Sequence, residues 1–195
     1  MNRLKFAVIA VSICAIAAPA YSQMGGYDGV EFVDAVKKSD GSKVMELINK
    51  DGAGIVNAKD GSGNTALIFA IGDRNEDFTA FLLNQGADPN LPGKDGDTPL
   101  IAAARIGYEQ AAEWLIGQGA KVDATNRMGE TPLIIAVQTR QLPLVKLLLT
   151  AGANPDKTDH AAGLSAREYA ARDTRARDIQ QVIEARKPKA GAAKP

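Results

Sequence analysis

Three stretches of the chain superpose without gaps at a step of 33 residues. They are Gly63-Asn64-Thr65-Ala66-Leu67-Ile68-Phe69-Ala70, Gly96-Asp97-Thr98-Pro99-Leu100-Ile101-Ala102-Ala103 and Gly129-Glu130-Thr131-Pro132-Leu133-Ile134-Ile135-Ala136. A second landmark keeps the same step: Gly86-Ala87-Asp88, Gly119-Ala120-Lys121 and Gly152-Ala153-Asn154. A fourth window, Gly163 to Ala170, follows at 34, so one residue is inserted in the loop before it. Upstream, Glu31 to Lys50 carries the same pattern in degenerate form. A unit this short cannot bury its own apolar face, so such units must stack on one another.

The residues inside the unit predict two helices. Thr98 and Thr131 can accept hydrogen bonds from the free N–H groups of a helix start. Pro99 and Pro132 then fall in the first turn, where a missing N–H costs nothing. Leu100 and Ala103 share a face, as do Leu133 and Ala136. Small Ala70, Ala103 and Ala136 let neighbouring helices approach closely. In the second helix Phe78, Phe81 and Leu82 repeat as Ala111, Trp114 and Leu115, then as Leu144, Leu147 and Leu148, a buried stripe. On this alignment Trp114 is core. Gly86, Gly119 and Gly152 are placed to stop these helices in a left-handed turn. Phe32, Val36, Val44, Leu47 and Ile48 form an N-terminal cap. At the other end Arg167, Asp178 and Gln181 replace inner leucines, which predicts a solvated outer cap, with Tyr169, Ile179, Val182 and Ile183 still facing inward.

The Thr-Pro-Leu motifs at 98–100 and 131–133, the 33-residue step and the Gly-Ala-Asp/Asn-Pro turns resemble the ankyrin repeat family. The resemblance covers about residues 27–186. It implies an all-α solenoid of stacked helix-turn-helix units with hairpin loops and a polar C-terminal cap. The units are an N-cap at 30–59, repeats at 60–92, 93–125 and 126–158, and a C-cap at 159–186. One departure is consistent. The family's usual His after Thr-Pro-Leu is here Ile68, Ile101 and Ile134, which exchanges a polar tie between repeats for apolar burial.

Residues 1–22 have the layout of a secretory signal: Arg3 and Lys5, then apolar Phe6 to Ala18, then Pro19 and small residues. Thirteen apolar residues are too few to span a bilayer. The only cysteine, Cys14, lies inside this segment, beside Ile13 where lipid acylation would want a small residue. The expected mature chain therefore has no thiol chemistry and no disulfide. Residues 23–29 read as a flexible lead-in and 187–195 as a disordered basic tail. The whole chain carries 23 basic and 23 acidic residues, which gives no case for general nucleic-acid binding. Charge is uneven along it: residues 23–164 hold 13 basic and 19 acidic residues, and 165–195 hold 8 and 4. The basic end reads as a solvated cap helix.

Catalytic patterns are missing. His160 is the one histidine, in a loop beside Asp159, and lacks the partners of a nucleophilic triad. Gly61-Ser62-Gly63-Asn64-Thr65-Ala66 has the spacing of a dinucleotide loop, but it sits in register with two hairpins that lack those glycines. Asp95-Gly96-Asp97 does not continue into a calcium loop. No enzyme, cofactor or metal is expected.

What remains is a surface. The resemblance implies that a partner protein binds the concave face, made by hairpin tips and first helices. Those positions are Asn64 and Asp73; Lys94, Asp95, Asp97, Arg105 and Ile106; and Arg127, Met128, Glu130, Gln138 and Thr139. The expected protein is a monomeric, exported, most simply periplasmic, interaction module, and the resemblance implies a role in stress defence. The alternative is an inhibitor or immunity protein against a cell-envelope enzyme or toxin. The signal reading predicts that N-terminal sequencing of the exported protein starts at Tyr21 or Gln23; a start at Met1 contradicts it.

Overall fold

The computed structural model describes residues 26–186. The expected signal, Cys14 and the basic tail lie outside them. Ten α-helices follow in pairs: α1 (Gly26–Lys37) and α2 (Gly41–Asp51), α3 (Ala66–Gly72) and α4 (Glu76–Asn84), α5 (Pro99–Ile106) and α6 (Glu109–Gly117), α7 (Pro132–Gln138) and α8 (Leu142–Thr150), α9 (Ala166–Arg172) and α10 (Arg177–Glu184). Short 3-10 turns lie at Ala53–Asn57 and Lys94–Gly96. Only isolated antiparallel bridges, Lys59 with Thr65 and Thr158 with Ser165, interrupt the helical pattern among the described residues. None of the described helices is long and apolar enough to cross a membrane.

From α3 onward, each first helix starts on a side-chain cap. Thr65, Thr98 and Thr131 accept from the N–H of Ile68, Ile101 and Ile134 at 3.2–3.3 Å. Ser165 does the same for Glu168, whose carboxylate reaches back to the Ser165 N–H at 2.9 Å. That reciprocal pair satisfies two otherwise free donors. Gly86, Gly119 and Gly152 stop the second helices at φ of 87°, 88° and 92°, where an L side chain would be strained.

The helices form two layers. α1, α3, α5, α7 and α9 pack side by side as an inner row, and α4, α6, α8 and α10 pack as an outer row behind it. Leu67, Leu100 and Leu133 are sealed in the inner row, and Leu82, Leu115 and Leu148 in the outer. Ile101 and Ile134 are fully buried, so apolar packing fills the place of the missing histidine. At Phe81, Trp114 and Leu147 the outcome differs from the expected core. These side chains are half-buried and only flank the core, because outer-row helices have no further layer behind them. The residues one position along, Leu82, Leu115 and Leu148, take the buried place.

Polar ties set the stacking register. The Asn57 side chain accepts from the Asp88 N–H at 2.8 Å and donates to the Gly86 carbonyl at 3.2 Å. One repeat on, Asn90 accepts from the Lys121 N–H and donates to the Gly119 carbonyl. Asp123 keeps the accepting half, from the Asn154 N–H at 2.9 Å. Each repeat thus holds the loop of the next. Arg74 and Arg140 sit in the left-handed region, at φ of 52° and 57°, which disfavours a residue with a Cβ. Both arginines reach forward: Arg74 donates to the Ile106 carbonyl and lies over the Tyr108 ring, and Arg140 pairs with Asp173 at 2.6 Å.

Two other expectations are corrected at the ends. α1 already begins at Gly26, inside the segment read as a flexible lead-in. Gly29 serves close packing: a Cβ there would stand 2.7 Å from that of Ala58. Arg167 is not simply solvated. It forks onto Asp156 at 2.7 and 3.4 Å and donates to the Ile183 carbonyl, tying the cap hairpin to α10. Asn90→Ala should lower the unfolding free energy by about 1–2 kcal/mol, since both cross-repeat bonds are lost. Asn90→Asp, which retains the acceptor, should cost less. Urea denaturation followed by circular dichroism checks both.

Candidate protein-binding surface

The hairpin tips are joined to one another by main-chain and side-chain bonds. Asn64 accepts from the Lys94 N–H at 2.8 Å, the Arg127 N–H donates to the Asp95 carbonyl at 3.0 Å, and the His160 N–H donates to the Met128 carbonyl at 2.8 Å. Within the third tip, Asn126 accepts from the N–H groups of Met128 and Glu130, both at 3.0 Å. The tips therefore form one braced edge whose side chains project from fixed backbone.

The expected contact residues divide on this edge. Asp73, Lys94, Asp95, Arg127, Met128 and Gln138 are exposed. Met128 is 52% exposed, and with Met45 it is one of two large apolar side chains so placed among the described residues. Arg127 stands 4.0 Å from Asp95, a loose pair in water that leaves both groups usable. The remaining positions are committed internally. Asn64 is half-buried in its bond to Lys94. Ile106 is half-buried against the core rather than presented at a rim. Thr139 is exposed, but its hydroxyl donates to the Ile135 carbonyl of its own helix at 2.8 Å.

Asp97, Arg105 and Glu130 form a clip between the second and third repeats. Arg105 forks onto Asp97 at 2.6 and 3.1 Å and reaches Glu130 at 3.4 Å. Asn126 donates to both carboxylates, at 2.9 and 2.8 Å. Glu130 is only 8% exposed, so burying its carboxylate without these partners would be costly. The hydrogen bond to Asp97 pushes the Arg105 guanidinium up from its ordinary value, against the opposing effect of burial. Spacing alone placed these three charges at the tips and first helices; the pairing of Arg105 with Glu130 and of Asn126 with Asp97 depends on the stacking distance between repeats.

The loop histidine has an exposed ring, and its main chain belongs to the bracing just described. Its neighbour Asp159 is the buried group, 4% exposed. Burial opposes ionisation there, but bonds from the Tyr169 hydroxyl at 2.5 Å and from the N–H groups of Ala162 and Leu164 prevail. The carboxyl is held below its usual range, and the hydrogen bond to it pushes the Tyr169 phenol up. Asp60 is held low in the same way: burial is overcome by Lys37 and two backbone N–H groups. These aspartates close hairpins. No group of three or more His, Cys, Asp or Glu among the described residues is arranged to hold a metal.

The sequence reading missed Asn57, Asn90 and Asp123. Their signal was available, because they recur at the 33-residue step.

A stacked helical solenoid with a braced edge of hairpin tips defines a repeat protein whose working part is a surface. Two family models of ankyrin repeats match the chain, one of three copies over residues 79–159 and one of many copies over 47–103. Together they run from 47 to 159, more than half of the chain, and the chain belongs to the ankyrin repeat family. Ankyrin repeats generally mediate protein–protein interaction, and proteins built from them are typically non-catalytic. No curated protein gives a significant match.

Asp159→Asn should cost about 1–2 kcal/mol at pH 7, since one acceptor of a buried network becomes a donor. The folded carboxyl lies below its unfolded value, near 3.9. Its stabilisation is therefore present above that pH and lost as pH falls through the depressed folded value. The gap between variant and wild type should narrow below about pH 4. Urea titrations across pH 3–7, an interval bracketing that carboxylate value, test this.

Proposed function

We propose that this protein is a non-catalytic adaptor, exported to the bacterial periplasm, that holds a partner protein against the edge formed by its hairpin tips and first helices. Support for the surface comes from Arg127 and Met128, which project from a tip whose backbone is braced on both sides by Asp95 and His160. Rigid presentation lowers the ordering cost of binding. An exposed methionine beside an arginine offers an apolar anchor with a charged rim, the kind of pair in which binding energy concentrates. Export rests on the arrangement of residues 1–22, and the bacterial assignment on a cysteine-free remainder, since secreted domains elsewhere more often carry disulfides. A role in envelope stress defence comes from the resemblance alone.

The test is crosslinking in cells followed by mass spectrometry. Arg127→Ala/Met128→Ala should reduce capture of the partner about tenfold. Arg105 is left in place, because its loss would release Asp97 and Glu130 and confuse binding with folding. Asp77→Ala, on the exposed side of α4, should leave capture unchanged. Capture that survives the double change overturns the assignment of this edge.

A further inference from the structure

The back of the solenoid carries an open groove of about 360 Å³ between α6 and α8. Leu142, Pro143 and Leu147 give it an apolar floor, Glu109 closes one end, Thr150 closes the other, and Lys146 stands midway. We propose that the occupant of this groove is the chain's own C-terminal segment, residues 187–195.

The position of Arg186 starts the argument. Its guanidinium donates to the Leu149 carbonyl and reaches the Thr150 hydroxyl at 3.5 Å, while its carbonyl accepts from Arg167 at 3.4 Å, so the last described residue lies within one arginine side chain of the Thr150 end of the groove. Nine residues follow, Lys187 to Pro195. Fully extended they reach about 30 Å. Crossing the end of one helix takes about 10 Å. The run along α8 from Thr150 to Leu142 takes about 12 Å more.

The order of residue types matches that path. Three residues cover the crossing and carry Lys187 and Lys189, in solvent. Ala190-Gly191-Ala192-Ala193 then pass over the apolar floor, uncharged where Lys146 would repel a cation. Lys194 arrives at the far end, opposite Glu109. Lys187 and Lys194 each precede a proline, which biases them towards extended backbone. The charge balance agrees: the exposed outer-row residues near this groove include Glu109 and Glu113, whereas the segment has three lysines and no acid. Docked in this way, the segment covers the apolar strip behind the third repeat and leaves the hairpin-tip edge open.

Paramagnetic relaxation in the full chain tests this. A nitroxide is placed at Pro195→Cys in a Cys14→Ser background. Amides of Glu109 and of Leu142 to Thr150 should broaden in the ¹⁵N-labelled, spin-labelled chain. They should stay sharp in a mixture where nitroxide and ¹⁵N are on separate molecules. Glu109→Lys should cut the broadening about two-fold or more, and adding Lys194→Glu should restore it. Lys194→Glu alone, beyond the last described helix, should give the same loss. Broadening that misses the groove, that is equal in the mixture and so belongs to a second copy, or that ignores both charge reversals overturns the proposal.

Discussion

Leu100, Ala103 and Leu115 are all but inaccessible to water, yet the repeat that carries them is too small to bury them itself. Their cover comes from the repeats on either side, α5 lying between α3 and α7, and α6 between α4 and α8. This dependence on neighbours governs the molecule. It demands small residues where inner helices meet, which Ala70, Ala103 and Ala136 supply. It also demands ends that differ from the middle, because a terminal unit has one neighbour only. The C-terminal cap meets that demand with ionic ties to the repeat before it, Arg140 to Asp173 and Arg167 to Asp156, and Arg167 stands where inner repeats carry Leu67, Leu100 and Leu133.

Apolar contact alone would permit units to slide. Hydrogen bonds are short-ranged and directional, and they remove that freedom. The series at Asn57, Asn90 and Asp123 bonds each unit to the loop of the next, and the braced tips add further bonds between repeats. Two arginines accept a disfavoured left-handed backbone while their side chains make contacts across the repeat boundary. The consequence for function is a surface whose parts keep fixed spacing. Arg127 and Met128 are exposed on that frame, and a groove opens on its back.

Much of the fold was legible because each rule that reveals it is local and is repeated. Threonine caps, first-turn prolines and left-handed glycines act within a few residues, and three copies in phase remove coincidence. The surface was less legible. A charge at a tip looks free in a sequence, and Asp97, Arg105 and Glu130 differ from Lys94 and Arg127 in their close partners, Arg105 meeting Asp97 in its own repeat and Glu130 in the next. Glycines misled for a related reason. Gly29 fell in a segment read as a flexible lead-in, but its missing side chain makes room for Ala58, 29 residues further along the chain.

The sequence by itself determined the helix pairs, the order of stacking and the polar C-terminal end, since these follow from periodicity and local capping. Only the tertiary structure decided which polar groups face water. That choice depends on distances of about 3 Å between residues some 25 to 33 positions apart, set by how closely one repeat settles on the next. Glu130 is neutralised and buried by that closeness, while Met128, two residues earlier, is left in solvent.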